Sequence, residues 1–254
     1  MERNENYTIA EGYRLPSGGL IYDVAVNPEV ELRSMSARDE MKRLNPSATP
    51  FKTLADIIEG CMLTKPTIHV YDMALGDYEY LLHKLRIVTY GSKYKLDLVC
   101  PECGEIVETE ADLETLELKE FDIDKFNSYR TFMLPKSGKE VMLKFQTPHM
   151  LDMIDAKAKE LKRKFKLAEI NFEVFSVLTN VIDTVDGKKL SQVELETFIN
   201  NLPALDMNKI MQNLDALNTS IGLNNELYVT CGKCGSEVKT FFRFGTEFFR
   251  PTNI

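Results

Sequence analysis

Cys100-Pro101-Glu102-Cys103-Gly104 and Cys231-Gly232-Lys233-Cys234-Gly235 are the two stretches that decide how this chain is built. Each places two cysteines three positions apart with a glycine directly after them. That spacing turns two thiolates toward one point, and the glycine accepts the positive φ that the turn requires. Alternating apolar residues lead into the first pair (Leu96, Leu98) and out of it (Ile106, Val107), so the pair is predicted at a hairpin tip. A redox Cys-x-x-Cys would open a helix instead. Disulfides belong to oxidising compartments, and nothing near Met1 reads as a signal peptide. The four sulfurs of Cys100, Cys103, Cys231 and Cys234 are therefore read as one closed structural site for Zn²⁺, with iron as the other metal that four thiolates suit. Cys61 lies among Ile57, Ile58 and Met62 and is expected in the core.

The flanks repeat as well. Both knuckles continue Cys-Gly-x-x-Val-x-Thr, through Val107 and Thr109 in one case and Val238 and Thr240 in the other. Gly91 and Gly222 each precede the first cysteine of their knuckle by the same interval. Leu15-Pro16-Ser17-Gly18 is echoed by Leu134-Pro135-Lys136-Ser137-Gly138, and Val30-Glu31-Leu32-Arg33 with Ser36 by Val141-Met142-Leu143-Lys144 with Thr147. The order of these echoes implies an internal duplication with insertions. The expected fold is α+β: two related lobes of helices and short antiparallel hairpins, joined by a split four-cysteine site like a zinc ribbon. The expected division is a flexible arm over 1–13, a first lobe over 14–124, and a second lobe over 125–254 with a long helix and an aromatic tail.

Element signals follow the same plan. Leu20, Tyr22, Val24 and Val26 alternate as a strand, and Val30 to Arg33 as another. Ser36 is placed to cap one helix, Asp77 another and Asp206 a third; Ser191 with Glu194 spells a capping box. Thr147-Pro148 opens the strongest helical pattern, in which apolar residues from Leu151 to Phe175 recur at three–four spacing, either as one helix or broken near Lys166. Between Glu102 and Asp124 lie ten acidic residues and one lysine, read as a solvated strand and linker.

The 254 residues are 44% hydrophobic and 28% charged, an ordinary globular balance. A net charge of −8 argues against general binding to a nucleic-acid backbone, although Lys157, Lys159, Lys162, Arg163, Lys164 and Lys166 make one basic stretch. No apolar run approaches the ~20 residues of a membrane span. There is no phosphate-binding glycine loop, and His69, His83 and His149 are scattered without a nucleophile partner. A closed four-thiolate site leaves no open coordination position for catalysis. The chain is expected not to be an enzyme. Phe248, Phe249 and Arg250 close the most aromatic stretch of the chain, which either folds onto its own core or anchors a partner.

Leu15-Pro16-Ser17-Gly18-Gly19 with Tyr22, Leu85-Arg86 before Gly91, the two knuckles, Leu190-Ser191, Leu202-Pro203, Asp206 and Phe248-Phe249-Arg250-Pro251 resemble the baseplate hub and hub-assembly proteins of T-even-type contractile-tailed phages. The resemblance runs from Arg14 to Pro251. It implies a structural or assembly protein of a tail baseplate, in the host cytoplasm during assembly and then either kept in the virion tail or absent from the finished particle. Its implied partners are hub, spike, tape-measure or wedge proteins. No catalytic residues carry over. The alternative from another class is a zinc-ribbon regulator that contacts nucleic acid or a polymerase through the basic stretch.

Overall fold

The computed structural model describes residues 10–165, 171–242 and 246–249. It begins with strand β1 (Ala10–Arg14), antiparallel to β2 (Glu29–Arg33). Residues 10–13, expected in the flexible arm, are thus paired. Between the two strands the expected strand at Leu20–Val26 does not form. The chain turns instead, because Gly18 and Gly19 both take positive φ, and a Cβ on Gly19 would stand 2.6 Å from the Val26 carbonyl oxygen. Helix α1 (Ala37–Leu44) starts at a capping box made by Ser36 and Asp39. Helix α2 (Pro50–Cys61) buries Leu54, Ile57, Ile58 and Cys61, and its end runs into β3 (Met62–Thr64), which pairs with β2. Helix α3 (Leu75–Tyr90) stops at Gly91, with φ of 82°. Strands β4 (Lys93–Val99) and β5 (Ile106–Asp112) form the first knuckle hairpin.

The second half repeats this order with two added helices. Helix α4 (Ile123–Arg130), which the acidic linker concealed, leads into β6 (Thr131–Met133) and β7 (Glu140–Leu143). Thr147 caps α5 (Pro148–Lys164), and α6 (Phe172–Val181) runs into β8 (Ile182–Val185). The long apolar stripe is therefore broken into two helices that fold back on one another, with the Phe165 and Phe172 rings 6.1 Å apart. Folding back buries Ile154, Ala158 and Phe172 without a second chain, and this outweighs helix continuity. Helices α7 (Gln192–Asn200) and α8 (Ala204–Thr219) follow, then β9 (Glu226–Thr230) and β10 (Glu237–Phe241) as the second knuckle hairpin.

The duplication is visible in the pairing itself. Sheets β1-β2-β3 and β6-β7-β8 share one strand order. Their ladders shift register at the same place, between Glu31 and Leu32 in one and Met142 and Leu143 in the other. Asp77 and Asp206 are not helix caps as expected, because each sits in the first turn of its helix, past the caps Ala74 and Pro203. Their carboxylates do equivalent work. Asp77 accepts the Ser17 amide at 2.9 Å, and Asp206 accepts the Lys136 and Ser137 amides at 2.8 and 2.9 Å. Each thus ties the Leu-Pro turn of its own half to the start of its own last helix.

Two large apolar clusters form. One gathers Leu32, Ile58, Leu81 and Leu85 from the first half; the other gathers Leu143, Val181, Ile210 and Leu217 from the second. The first is completed from the far end of the chain, by Phe242, Phe248 and Phe249. Tyr94 receives Phe248 at 5.3 Å and Phe242 at 5.8 Å between ring centroids. At the junction, Gly76 lies so close to Ile221 that an added Cβ would come within 2.6 Å of its carbonyl oxygen.

Candidate metal centre

Each knuckle is shaped by its own backbone. The Cys100 amide donates to the Glu105 carbonyl at 2.8 Å, and the Gly104 amide donates back to the Cys100 carbonyl at 2.9 Å. The second knuckle repeats both bonds, from Cys231 to Ser236 and from Gly235 to Cys231, each at 2.9 Å. Gly104 and Gly235 have φ of 70° and 75°, which explains the glycine at each place. The first cysteine of each knuckle is buried and the second exposed.

All four sulfurs lie within 4.8 Å of one another. Cys100 Sγ is 3.7 Å from Cys234 Sγ, and Cys103 Sγ is 3.7 Å from Cys231 Sγ. Exchanging the two halves converts the first pair into the second, so the sulfurs obey the same two-fold relation as the strands. A tetrahedron with metal–sulfur bonds of ~2.3 Å has edges of ~3.8 Å. The separations fit that figure and are far from the ~2.05 Å of a disulfide. The cysteines predicted to converge from distant parts of the chain are thus brought together, in an arrangement that can hold one metal ion.

Hydrogen bonds and the neighbouring sulfurs push the two exposed thiols in opposite directions. The Cys234 thiol is pushed down to about 6, first by hydrogen bonding from the Ser236 side chain and then from its amide. Cys103 is held up to about 12. The Glu105 amide, its largest influence, favours the thiolate, but desolvation and the neighbouring sulfurs outweigh it. Sulfurs this close resist carrying several negative charges at once unless a cation sits among them.

A small apolar cluster seals the base of the site: Cys100, Cys231 and Val238, with Leu98 and Val107 beside them. Across the tips, the Lys233 ammonium pairs with the Glu105 carboxylate. The roles of Glu105 and Ser236 were missed in the sequence. Their signal was positional, since each stands two residues after the second cysteine of its knuckle.

The remaining candidates are placed differently. Cys61 is wholly buried, and burial pushes its thiol up to about 12. Phe248 and Phe249 are 1% and 0% exposed. Both fold onto the chain's own core, the first of the two expectations for the aromatic stretch. Arg250, named with them, lies outside the described residues. In the basic stretch, Lys157 pairs with Glu160, Lys159 with Asp155 and Lys162 with Glu173. His83 is buried and bonded to the Leu113 carbonyl at 2.8 Å, and burial pushes its pKa down to about 4. His149 stacks on Tyr71 and bonds Asp72.

A family model described as T4 bacteriophage base plate protein matches residues 11–250. The chain belongs to that family. No curated protein and no solved structure matches it. Membership makes this chain a phage base plate protein, as the two knuckles and the Leu-Pro turns led one to expect, since the match spans both halves and both cysteine pairs. Among the described residues of this base plate protein, no helix is long and apolar enough to cross a membrane.

Proposed function

We propose that this base plate protein is a non-enzymatic structural or assembly component of the hub region. It would act by protein–protein contacts on a scaffold whose lobes, 14–124 and 125–254, are clamped by Zn²⁺ on Cys100, Cys103, Cys231 and Cys234. The observation that carries the reading is the convergence of one cysteine pair from each half on a single point, in a chain whose match to the family is nearly complete. A closed site of this type stabilises and does not react. Tetrahedral four-thiolate spacing suits zinc and iron alike, and zinc is proposed because a closed structural site has no redox function to perform. The division into lobes is supported by the two apolar clusters, with the qualification that Phe248 and Phe249 of the second lobe complete the core of the first.

The zinc-ribbon regulator has less support. Its contact surface would be the basic stretch, and three of those lysines already have acidic partners within the chain. Contact with phosphates would have to displace them. The test is to purify tails from cells producing a tagged copy of this protein, identify its cross-linked neighbours by mass spectrometry, and measure the metal in the purified chain. Cross-links to central tail components, with one zinc per chain, support the proposal. A chain absent from tails and from their assembly intermediates, or one that binds DNA with a steep salt dependence, overturns it.

A further inference from the structure

The two knuckle hairpins are copies of one element, and their outward faces differ. On the first, Val99 stands opposite Ile106 just below the cysteines, and the pair is 66% and 63% exposed. The next outward rung sets Asp97 directly opposite Glu108. Like charges so placed repel, and neither carboxylate has an ion-pair partner among the described residues. On the second hairpin the matching rungs are Thr230 opposite Glu237 and Tyr228 opposite Lys239. There the Lys239 ammonium lies 5.5 Å from the centre of the Tyr228 ring, 5.1 Å from that of Phe241, and 2.9 Å from the Glu226 carboxylate. On these two rungs the second face pairs Lys239 within the chain and leaves Glu237 without an ion-pair partner among the described residues, whereas the first sets two such carboxylates beside an exposed apolar rung.

The backbone bonds of the two knuckles are the same, and Thr230 and Glu237 occupy the tip of the second. The fold of the hairpin therefore does not require apolar residues at Val99 and Ile106. Exposed apolar side chains beside unpaired carboxylates are complementary to apolar side chains beside cations. Building on the reading of this chain as a protein–protein scaffold, we propose that the outward face of β4 and β5, formed by Val99, Ile106, Asp97 and Glu108, is a docking surface. Its occupant is a segment of another protein that carries apolar residues next to lysine or arginine.

The test uses the full-length, metal-loaded chain and two synthetic peptides of equal length, one alternating lysine with valine and the other glutamate with valine. Fluorescence anisotropy should show binding of the lysine peptide, weakened as salt is raised, and none of the glutamate peptide. The double substitution Val99→Thr with Ile106→Thr removes the apolar rung without adding charge and should weaken binding at least tenfold with metal content unchanged. Asp97→Asn with Glu108→Gln should flatten the salt dependence. In the unsubstituted chain, the lysine peptide should slow amide exchange in β4 and β5, a readout that does not depend on any variant folding. Equal binding of both peptides, undiminished binding by the first variant, or protection elsewhere in the chain overturns the proposal. Self-association that the first variant abolishes, without peptide binding, overturns it in favour of a second copy of this chain. Sedimentation of the tagged chain with tails tests the base plate assignment separately, so the two readings fail independently.

Discussion

Removing the metal should loosen the junction of the halves and leave both large cores standing. The Sγ atoms of Cys103 and Cys231 are 3.7 Å apart across 128 residues of chain. Holding the ends of an unfolded loop of that length together costs roughly 4 kcal/mol of entropy, and that is the restriction a bound metal imposes. Among the described residues, little else fastens the tips: the small cluster of Cys100, Cys231 and Val238 with two partly buried neighbours, and the exposed Lys233–Glu105 pair. For a protein of this size, each kcal/mol moves Tm by about 2–4 °C, so chelation should lower Tm by about 8–16 °C. Calorimetry before and after chelation, with far-UV circular dichroism at 25 °C and metal counting by mass spectrometry, reads the effect. The expected outcome is one ion per chain, a fall in Tm of that order, and helical signal retained. Cys103→Ser and Cys234→Ser remove one exposed sulfur from each knuckle. Because both variants disable a single shared site, the double variant should cost little more than either alone. Two ions per chain, additive losses, or a Tm unchanged within ~2 °C after complete metal removal would refute the clamp.

Phe249→Ala should cost about 3–5 kcal/mol in urea unfolding, as expected for a fully buried ring; a cost under ~1 kcal/mol would mean that the tail is not part of the first core. Gly76→Ala should destabilise by at least ~1–3 kcal/mol, read by thermal melting, because the Ile221 backbone cannot withdraw from the new Cβ as a flexible side chain could. Asp206→Asn should weaken acid sensitivity. Burial alone would raise this carboxyl, but the Lys136 and Ser137 amides outweigh it and hold its pKa below the ordinary 3.8. A depressed folded value means that its stabilisation is present above pH ~4 and fades as pH falls through the folded pKa. Unfolding midpoints measured from pH 6 to 2 should therefore fall less steeply in the variant, and parallel curves would contradict the assignment. Ser36→Ala should cost about 0.5–2 kcal/mol by loss of the α1 capping box, read in the same urea assay.

Much of this protein is legible in local chemistry. The turn at each knuckle follows from cysteine spacing and a glycine, and the caps at Ser36, Thr147 and Ser191 follow from side chains that satisfy free amides three residues on. What local chemistry concealed had distant causes. Leu20 to Val26 has the alternation of a strand, yet Tyr22 is drawn instead to Asp77, 55 residues away, with its hydroxyl donating at 2.6 Å. Asp77 and Asp206 look like caps because acidic residues favour helix starts. Their partners, the amides of the Leu-Pro turns, lie 60 to 70 residues upstream.

By itself, the order of residues determined that the chain is doubled, that each half carries a Cys-x-x-Cys turn able to ligate a metal, and that the mixture of helices and short hairpins is α+β. Those features rest on spacing, which a linear chain carries in full. Only the tertiary structure decided that the four sulfurs meet, that the apolar stripe folds back between α5 and α6, and that the last phenylalanines fill the core of the opposite half. Each of these brings together groups remote in sequence, and which remote apolar surfaces fit together is set by packing in three dimensions.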